Sequence, residues 1–443
     1  MRILHYSLGF PPYRSGGLTK FALDLMREQV MEGDTAALLW PGEMRIFNKT
    51  VSIKKRSNFE AIESYELINP LPISYDEGIQ NIPAFTATVD GKVYKEFLLK
   101  YQPDVIHLHT FMGLHKEFLE AAKELNIRAV FSVHDFFTIC PKVTMFRKGQ
   151  VCWCVDSCIE CPECNMTALS EKKIFVLQTP LYRTLKNSSV VKKLRKGHRD
   201  RYLSGYAEVA VTGESRNTAN DYRKLRNYYK EMINLISVVH YNSTVTKEVF
   251  ERVFYPANSY IIPITHGDIK ENKRLKTFTE PLRLSYLGPQ GGAKGFFLLK
   301  AALDELWTEG VKFSLNVYFT PTEVSPYMNI HDRYLYSELE TVMDETDLLI
   351  CPSIWYETFG YTVIEALSFG VPVLVSENVG AKDIIPAGCG GVFKDKKDLE
   401  NIIREMRPKK LQEWNKNIMN ENILMDMKWM ATNIKNVCYG VEQ

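Results

Sequence analysis

The sequence predicts an α/β protein with doubly wound parallel sheets in two units, and three observations carry that expectation. Short apolar runs alternate with helical segments along the chain, in two successive series. A polar, lysine-rich stretch, THGDIKENKRLKTFTEP from Thr265 to Pro281, separates the series as a hinge would. With 443 residues, 45% of them hydrophobic, the chain has material for two cores and is long for one.

The first series begins with RILHYSL (Arg2 to Leu8) and continues through DVIHLHT (Asp104 to Thr110), RAVFSVHD (Arg128 to Asp135) and EVAVTG (Glu208 to Gly213). It reaches LISVVHY (Leu235 to Tyr241) and the short SYIIPI (Ser259 to Ile264). The second runs LRLSYLG (Leu282 to Gly288), FSLNVYF (Phe313 to Phe319), DLLICPS (Asp347 to Ser353) and PVLVSE (Pro372 to Glu377). Domains over 1–265 and 266–419 are expected, with no internal repeat or low-complexity tract. The net charge of +2 argues against a dedicated nucleic-acid binder. No apolar run approaches the roughly 18 residues of a membrane span, and MRILHYSLGF reads as a first strand and not a signal peptide. A cytoplasmic location is expected, and the nine cysteines fit it, since six crowd into residues 140–164 instead of spreading as a disulfide framework.

The most informative stretch is ETFGYTVIEALSFG, which places Glu357 and Glu365 around a helix start between the strands DLLICPS and PVLVSE. In a parallel α/β sheet ligands collect beyond the strands' carboxyl ends, so both acids should face a cleft. Gly360 lets a ligand approach the backbone, and Phe359 to Thr362 offer unpaired N–H groups at the positive end of a helix, a seat for phosphate. Acids before and after that seat suit a ligand with phosphates in its middle, as in a sugar nucleotide. A charged hydrogen bond to a hydroxyl contributes roughly 1.5–3 kcal/mol, enough for one acid to decide binding. The competing reading of Glu365, a solvated helix residue, is disfavoured by Ala366, Leu367 and the Gly370 stop, which make the helix short and mostly buried.

At residues 357–366 the chain resembles the retaining glycosyltransferases of family 4, whose signature E-x-F-G-x-x-x-x-E-A it fits throughout. Within that family it is similar to the capsule and exopolysaccharide group with a cysteine-rich loop in the N-terminal domain. The resemblance implies the GT-B fold of two facing Rossmann-like domains, with the last segment, within 420–443, crossing back to the first as a C-terminal helix. It implies that Glu365 holds the ribose hydroxyls, Glu357 the donor sugar and the backbone from Phe359 through Gly360 and Tyr361 to Thr362 the pyrophosphate. It further implies retaining hexosyl transfer from a UDP-, GDP- or ADP-linked sugar to a glycan or lipid-linked glycan, by front-face attack and without a catalytic divalent ion. No D-x-D lies in the cleft strands.

Three other places bear on that chemistry. The loop GFPPYRSGGLTKFALDLMREQ carries Gly16 and Gly17 before a helix, where backbone amides could approach a phosphate; the family has a similar glycine pair. Lys294 in LGPQGGAKG is suited to neutralising a departing diphosphate, alone or with Arg333. Relatives commonly have arginine directly after the glycine at the place of Gly288, whereas this chain has Pro289. His107 and His109 point to one face of a strand end and read as surrounding shell. His134 ends the next strand; such a histidine is commonly a structural hydrogen-bonder, but the family's counterpart contacts the sugar near the reacting centre.

The cysteines Cys140, Cys152, Cys154, Cys158, Cys161 and Cys164 end in two overlapping C-x-x-C steps. Such steps place thiolates for tetrahedral zinc, here read as Cys140, Cys152, Cys161 and Cys164 in a structural role; free thiols or an iron–sulfur cluster stand against it. Beyond lies a basic segment, Lys172 to Arg201, where Ile174, Leu177, Leu181 and Leu185 recur at helical spacing beside lysines and arginines. It suits either peripheral contact with an anionic membrane or a solvated basic face over the core. Two other functions stay open: a sugar-nucleotide epimerase of the same fold, and a zinc-stabilised interaction protein on a dead transferase frame.

Overall fold

A computed structural model describes residues 1–14, 16–74, 78–185, 188 and 215–440. The expected strand EVAVTG and the basic run from Lys186 to Arg201 lie outside the described residues, apart from Ser188. Among the described residues, ten strands belong to the first half: β1 (Arg2–Tyr6), β2 (Thr35–Pro41), β3 (Ser52–Phe59), β4 (Ile62–Ile68), β5 (Val105–Leu108), β6 (Arg128–Val133), β7 (Phe146–Arg147), β8 (Gln150–Val151), β9 (Val238–Tyr241) and β10 (Ser259–Ile261). Eight of them form one sheet in the order β10-β9-β6-β5-β1-β2-β4-β3, while β7 and β8 make a separate hairpin. Every pairing in the large sheet is parallel except β3 with β4.

The second half holds β11 (Leu282–Tyr286), β12 (Phe313–Val317), β13 (Met328–Ile330), β14 (Leu348–Cys351), β15 (Val373–Ser376) and β16 (Gly390–Phe393), all parallel, in the order β13-β12-β11-β14-β15-β16. The central strands are apolar and buried because helices cover both faces, as parallel sheets require. In both sheets the order reverses beside the first strand, β1 or β11, which opens a crevice at the strands' carboxyl ends.

The halves share a core. One apolar cluster joins Ile3, Val105 and Val130 of the first sheet to Leu349 and Val373 of the second through Met430, Ile434 and Cys438 of the last segment. The helix Met427–Asn433 brings that segment onto the first sheet, where Lys435 pairs with the buried Asp34 at 2.7 Å and Arg128 Nε donates to the Cys438 carbonyl at 2.8 Å. Burying a Met or Ile side chain contributes about 1.5–3 kcal/mol, so this short segment is a strong clamp.

Two glycines fix how the chain enters the crevice. Gly295 has φ 77°, and a Cβ there would overlap the Pro352 carbonyl, so the loop after β11 lies directly on the end of β14. Gly360 has φ 103° and starts the helix Tyr361–Ser368. Both positions demand a residue without a side chain. They set Lys294 and Glu357 side by side.

Candidate functional site

The loop between β14 and the helix Tyr361–Ser368 is pinned from both halves of the molecule. The Glu357 backbone bridges Val379, with its N–H donating to Asn378 at 3.0 Å and its carbonyl accepting from Gly380 at 2.9 Å. The next residue faces the first half: the Thr358 carbonyl accepts from Ser243 Oγ at 2.7 Å and Thr246 Oγ1 at 3.0 Å, while Thr358 Oγ1 donates to the His134 carbonyl at 3.1 Å. Ser243 and Thr246 follow β9, so the cleft is stitched at its floor.

Glu357 sits beside the Lys294 ammonium in a direct ion pair and accepts from Trp355 Nε1 at 3.0 Å. The Lys294 nitrogen also lies 4.8 Å from the Trp355 ring centre. The two side chains are 18% and 30% exposed, so the pair is mostly out of water. Burial alone would raise the Glu357 carboxyl, but the Lys294 charge and hydrogen bond outweigh it and hold the group below its ordinary value. The sequence-predicted cation for a diphosphate is thus the partner of the predicted sugar-binding acid.

Glu365, a turn into the helix, is 11% exposed and faces His266 Nε2 at 3.2 Å. His266 Nδ1 accepts from the Asp268 N–H at 3.3 Å, so Nε2 carries the proton and donates to the carboxylate. The His266 ring packs edge-on against Tyr361 at 5.1 Å and Tyr336 at 5.7 Å. Phe359 is buried in the core that joins the halves, which leaves the backbone of Gly360, Tyr361 and Thr362 as the open end of the helix. Tyr361 Oη is buried with no hydrogen-bond partner among the described residues.

The first half faces this end directly. Gly17 starts the helix Gly17–Met31, and a Cβ on it would stand 3.2 Å from the Tyr361 ring, so the glycine pair and the phosphate seat meet across the cleft. Gly16, at φ 121°, sets the turn into that helix. Asp24 on the same helix accepts from the Gly267 N–H at 2.8 Å, and Lys20 donates to Asp268 at 2.6 Å, which ties the helix to the hinge. His134 is half-buried against Phe21, with ring centres 4.8 Å apart, and burial pushes it down to about 3. Arg333 is exposed and has no hydrogen-bond or ion-pair partner among the described residues.

Away from the cleft lie the cysteine group and the basic stripe. Cys140, Cys152, Cys161 and Cys164 all line one cavity of about 20 Å³, together with Cys154, but among the described residues no three of their sulfurs stand within 4.8 Å of one another. Cys152 and Cys154 lie 3.4 Å apart, and Cys158 instead accepts from Arg226 Nη1 at 2.9 Å. The thiols converge on one space without reaching ligand spacing. The stripe from Ile174 to Leu185 is also not one helix: it divides into Glu171–Leu177 and Pro180–Leu185, with Ile174 buried and Leu181 and Leu185 exposed. Pro180 lacks an N–H and disfavours helix before it, and Gln178 turns inward to accept from the Ile73 N–H at 2.9 Å.

Sequence reasoning missed His266, Asp24, Trp355 and the Ser243–Thr246 pair. His266 sits in HGD shortly after a strand end, the one signal that pointed to it.

Residues 329–421, which contain both acids and the helix start between them, match the family model "Glycosyl transferases group 1". The chain carries a group 1 glycosyltransferase domain. A protein from the cps region of Klebsiella pneumoniae, described as an uncharacterized 41.2 kDa protein, is 31% identical over 78 residues, 18% of this chain and 22% of its own. The chain thus spans about a fifth of the curated relative it matches. Sucrose-phosphate synthase from Thermosynechococcus elongatus has the same fold with a TM-score of 0.55, 15% identity and 98% and 97% of the two chains covered. WaaG, a glycosyltransferase involved in lipopolysaccharide biosynthesis, gives 0.55 at 14% identity over 99% and 100%. HepE from Anabaena, in complex with UDP and glucose, gives 0.52 at 14% over 98% of each chain. The glycosyltransferase domain therefore sits in a frame of two Rossmann-like units.

Lys294→Met leaves the Glu357 carboxylate without its cation and is expected to cost about 2 kcal/mol of stability. Adding Glu357→Gln should restore most of the melting temperature. Because the Glu357 value is depressed in the folded state, the pair's contribution is present above pH 4.5, its ordinary carboxyl value, and fades as pH falls through the lower folded value. Equal melting temperatures for the single and double variants would contradict the pairing.

Proposed function

We propose that this protein is a retaining glycosyltransferase that moves a hexosyl group from a nucleotide-sugar donor to a glycan or lipid-linked glycan during polysaccharide biosynthesis. The observation that carries this reading is the cleft itself: a helix start flanked by Glu357 and Glu365, closed by Gly17 and His134 from the other half. The complex of HepE with UDP and glucose, on the same fold, supports a nucleotide-sugar donor. Residues 1–265 with 420–443 would form the acceptor side, and 266–419 the donor side.

In this reading the diphosphate lies on the N–H groups of Gly360, Tyr361 and Thr362, with the Gly16–Gly17 turn approaching from across the cleft. Glu365, oriented by His266, takes the ribose hydroxyls, and Glu357 the hydroxyls of the sugar. Donor hydroxyls would then replace part of the Lys294 contact on Glu357 and turn the ammonium toward the leaving phosphate. The charge that builds on the diphosphate meets donors already in place, so little reorganisation is needed. The acceptor attacks on the face the phosphate leaves, and the phosphate takes its proton. His134 borders the reacting sugar.

The cysteine cavity has the donor chemistry for a structural zinc and room for one water-sized occupant, so we place the metal there, with Cys140, Cys152, Cys161 and Cys164 as ligands. Elemental analysis of protein purified without added metal should find about one equivalent. Protein that folds and carries no metal would remove this assignment.

Glu365→Ala should weaken binding of the free nucleotide by about tenfold or more, and Glu357→Ala should mainly slow transfer. Calorimetry with UDP, GDP and ADP reads the first. Acceptor-dependent nucleotide release from the matching sugar nucleotides reads the second and separates transfer from epimerisation. Unchanged nucleotide affinity in Glu365→Ala would overturn the assignment of that acid.

A further inference from the structure

Five histidines lie at the carboxyl ends of the first sheet's central strands, His5 on β1, His107 and His109 on or just beyond β5, His134 just beyond β6 and His240 on β9. They belong to one unbranched line of hydrogen bonds. From the interior outward it runs from the Ile262 carbonyl to His240 Nε2 (2.8 Å), then from His240 Nδ1 to Ser132 Oγ (2.6 Å) and on to His107 Nε2 (2.7 Å). His107 Nδ1 meets Tyr439 Oη (2.8 Å), which meets Gln29 Nε2 (3.0 Å). Gln29 Oε1 meets His5 Nε2 (2.8 Å), His5 Nδ1 meets His109 Nε2 (3.0 Å), and His109 Nδ1 meets His134 Nε2 (3.2 Å). His134 Nδ1, at the cleft end, has no partner among the described residues.

The direction of every bond follows from the first. A carbonyl oxygen only accepts, so His240 Nε2 donates, and a neutral His240 must then accept at Nδ1. Ser132 therefore gives its proton to His240 and accepts from His107 Nε2. His107 Nδ1 is left to accept, so Tyr439 donates to it and accepts from the Gln29 amide nitrogen. That fixes the amide's orientation, and its oxygen accepts from His5 Nε2. His5 Nδ1 accepts from His109, and His109 Nδ1 accepts from His134. Burial supports the neutral forms, since it lowers His5 and His240 to about 4 and pushes His107 and His109 well below the ordinary histidine value. The nitrogens of His5, His107 and His109 come within 4.8 Å of one another, but all six already serve in the line, which leaves none for a metal ion.

We propose that this line, through Gln29 and the C-terminal Tyr439, locks His134 in the Nε2–H tautomer and presents its Nδ1 lone pair to the cleft as a pure hydrogen-bond acceptor. His134 then receives a proton-bearing group, a sugar or acceptor hydroxyl, and gives nothing to a phosphate or carboxylate oxygen. Gln29, Tyr439, Ser132 and His240 are positioning residues that act through it. The consequence for substrate rests on the proposed function, whereas the tautomer does not.

The test is nitrogen-15 NMR of the full chain labelled at histidine. All five imidazoles of the wild type should show a protonated Nε2 and a bare Nδ1. In Tyr439→Phe the Gln29 amide is free to turn over, so His5, His109 and His134 should lose their single tautomer while His107 and His240, still tied to the Ile262 carbonyl, keep theirs. A protonated Nδ1 on wild-type His134 would overturn the proposal even if the variant fails to fold, and so would an unchanged His134 in a folded Tyr439→Phe. Full transfer activity in His134→Ala would instead count against His134 as a cleft residue and leave the tautomer assignment standing.

Discussion

The ion pair between Lys294 and Glu357 is the constraint that the surrounding backbone serves. Two opposite charges mostly withdrawn from water are tolerable only when each is held against the other, and an unpaired partner there would be costly. The chain meets that demand from separate strand ends. Gly295 lets the loop after β11 rest on the Pro352 carbonyl, and the bridge between Glu357 and Val379 fixes the acid from β15's side. In the proposed reading, an incoming donor would redistribute the charge held there.

Around this pair the two halves are joined so that the cleft keeps its width. Thr358 bonds to residues after β6 and β9, Asp24 holds the hinge at Gly267, and the last segment buries Met430, Ile434 and Cys438 against both sheets. The same last segment delivers Tyr439 to the buried line of histidines. A segment that looks like a simple packing device is therefore also connected, through that line, to His134.

Much of this was legible in the sequence, for physical reasons. Strands buried on both faces read as apolar runs, and β1, β5, β6, β9, β11, β12, β14 and β15 were visible that way. β3 was not, because SIKKRSNF is a charged, antiparallel edge strand whose side chains largely face water; β13 is three residues long and β16 begins with two glycines. The glutamate pair announced itself as a motif. Its contacts did not: Lys294 stood out as a cation in a glycine-rich loop, but it is 63 positions from Glu357, and His266 hides in a polar hinge run. The histidine line joins residues up to 410 positions apart, a relation no local pattern carries.

The central claim is that two acids bracket a helix tip and hold an activated sugar between them. A structure of the protein with an intact nucleotide sugar tests it most directly. The account predicts the diphosphate on the N–H groups of Gly360 to Thr362, the ribose on Glu365 and the sugar on Glu357. A diphosphate bound elsewhere, with the Lys294–Glu357 pair undisturbed and Glu365 still turned to His266 alone, would contradict it.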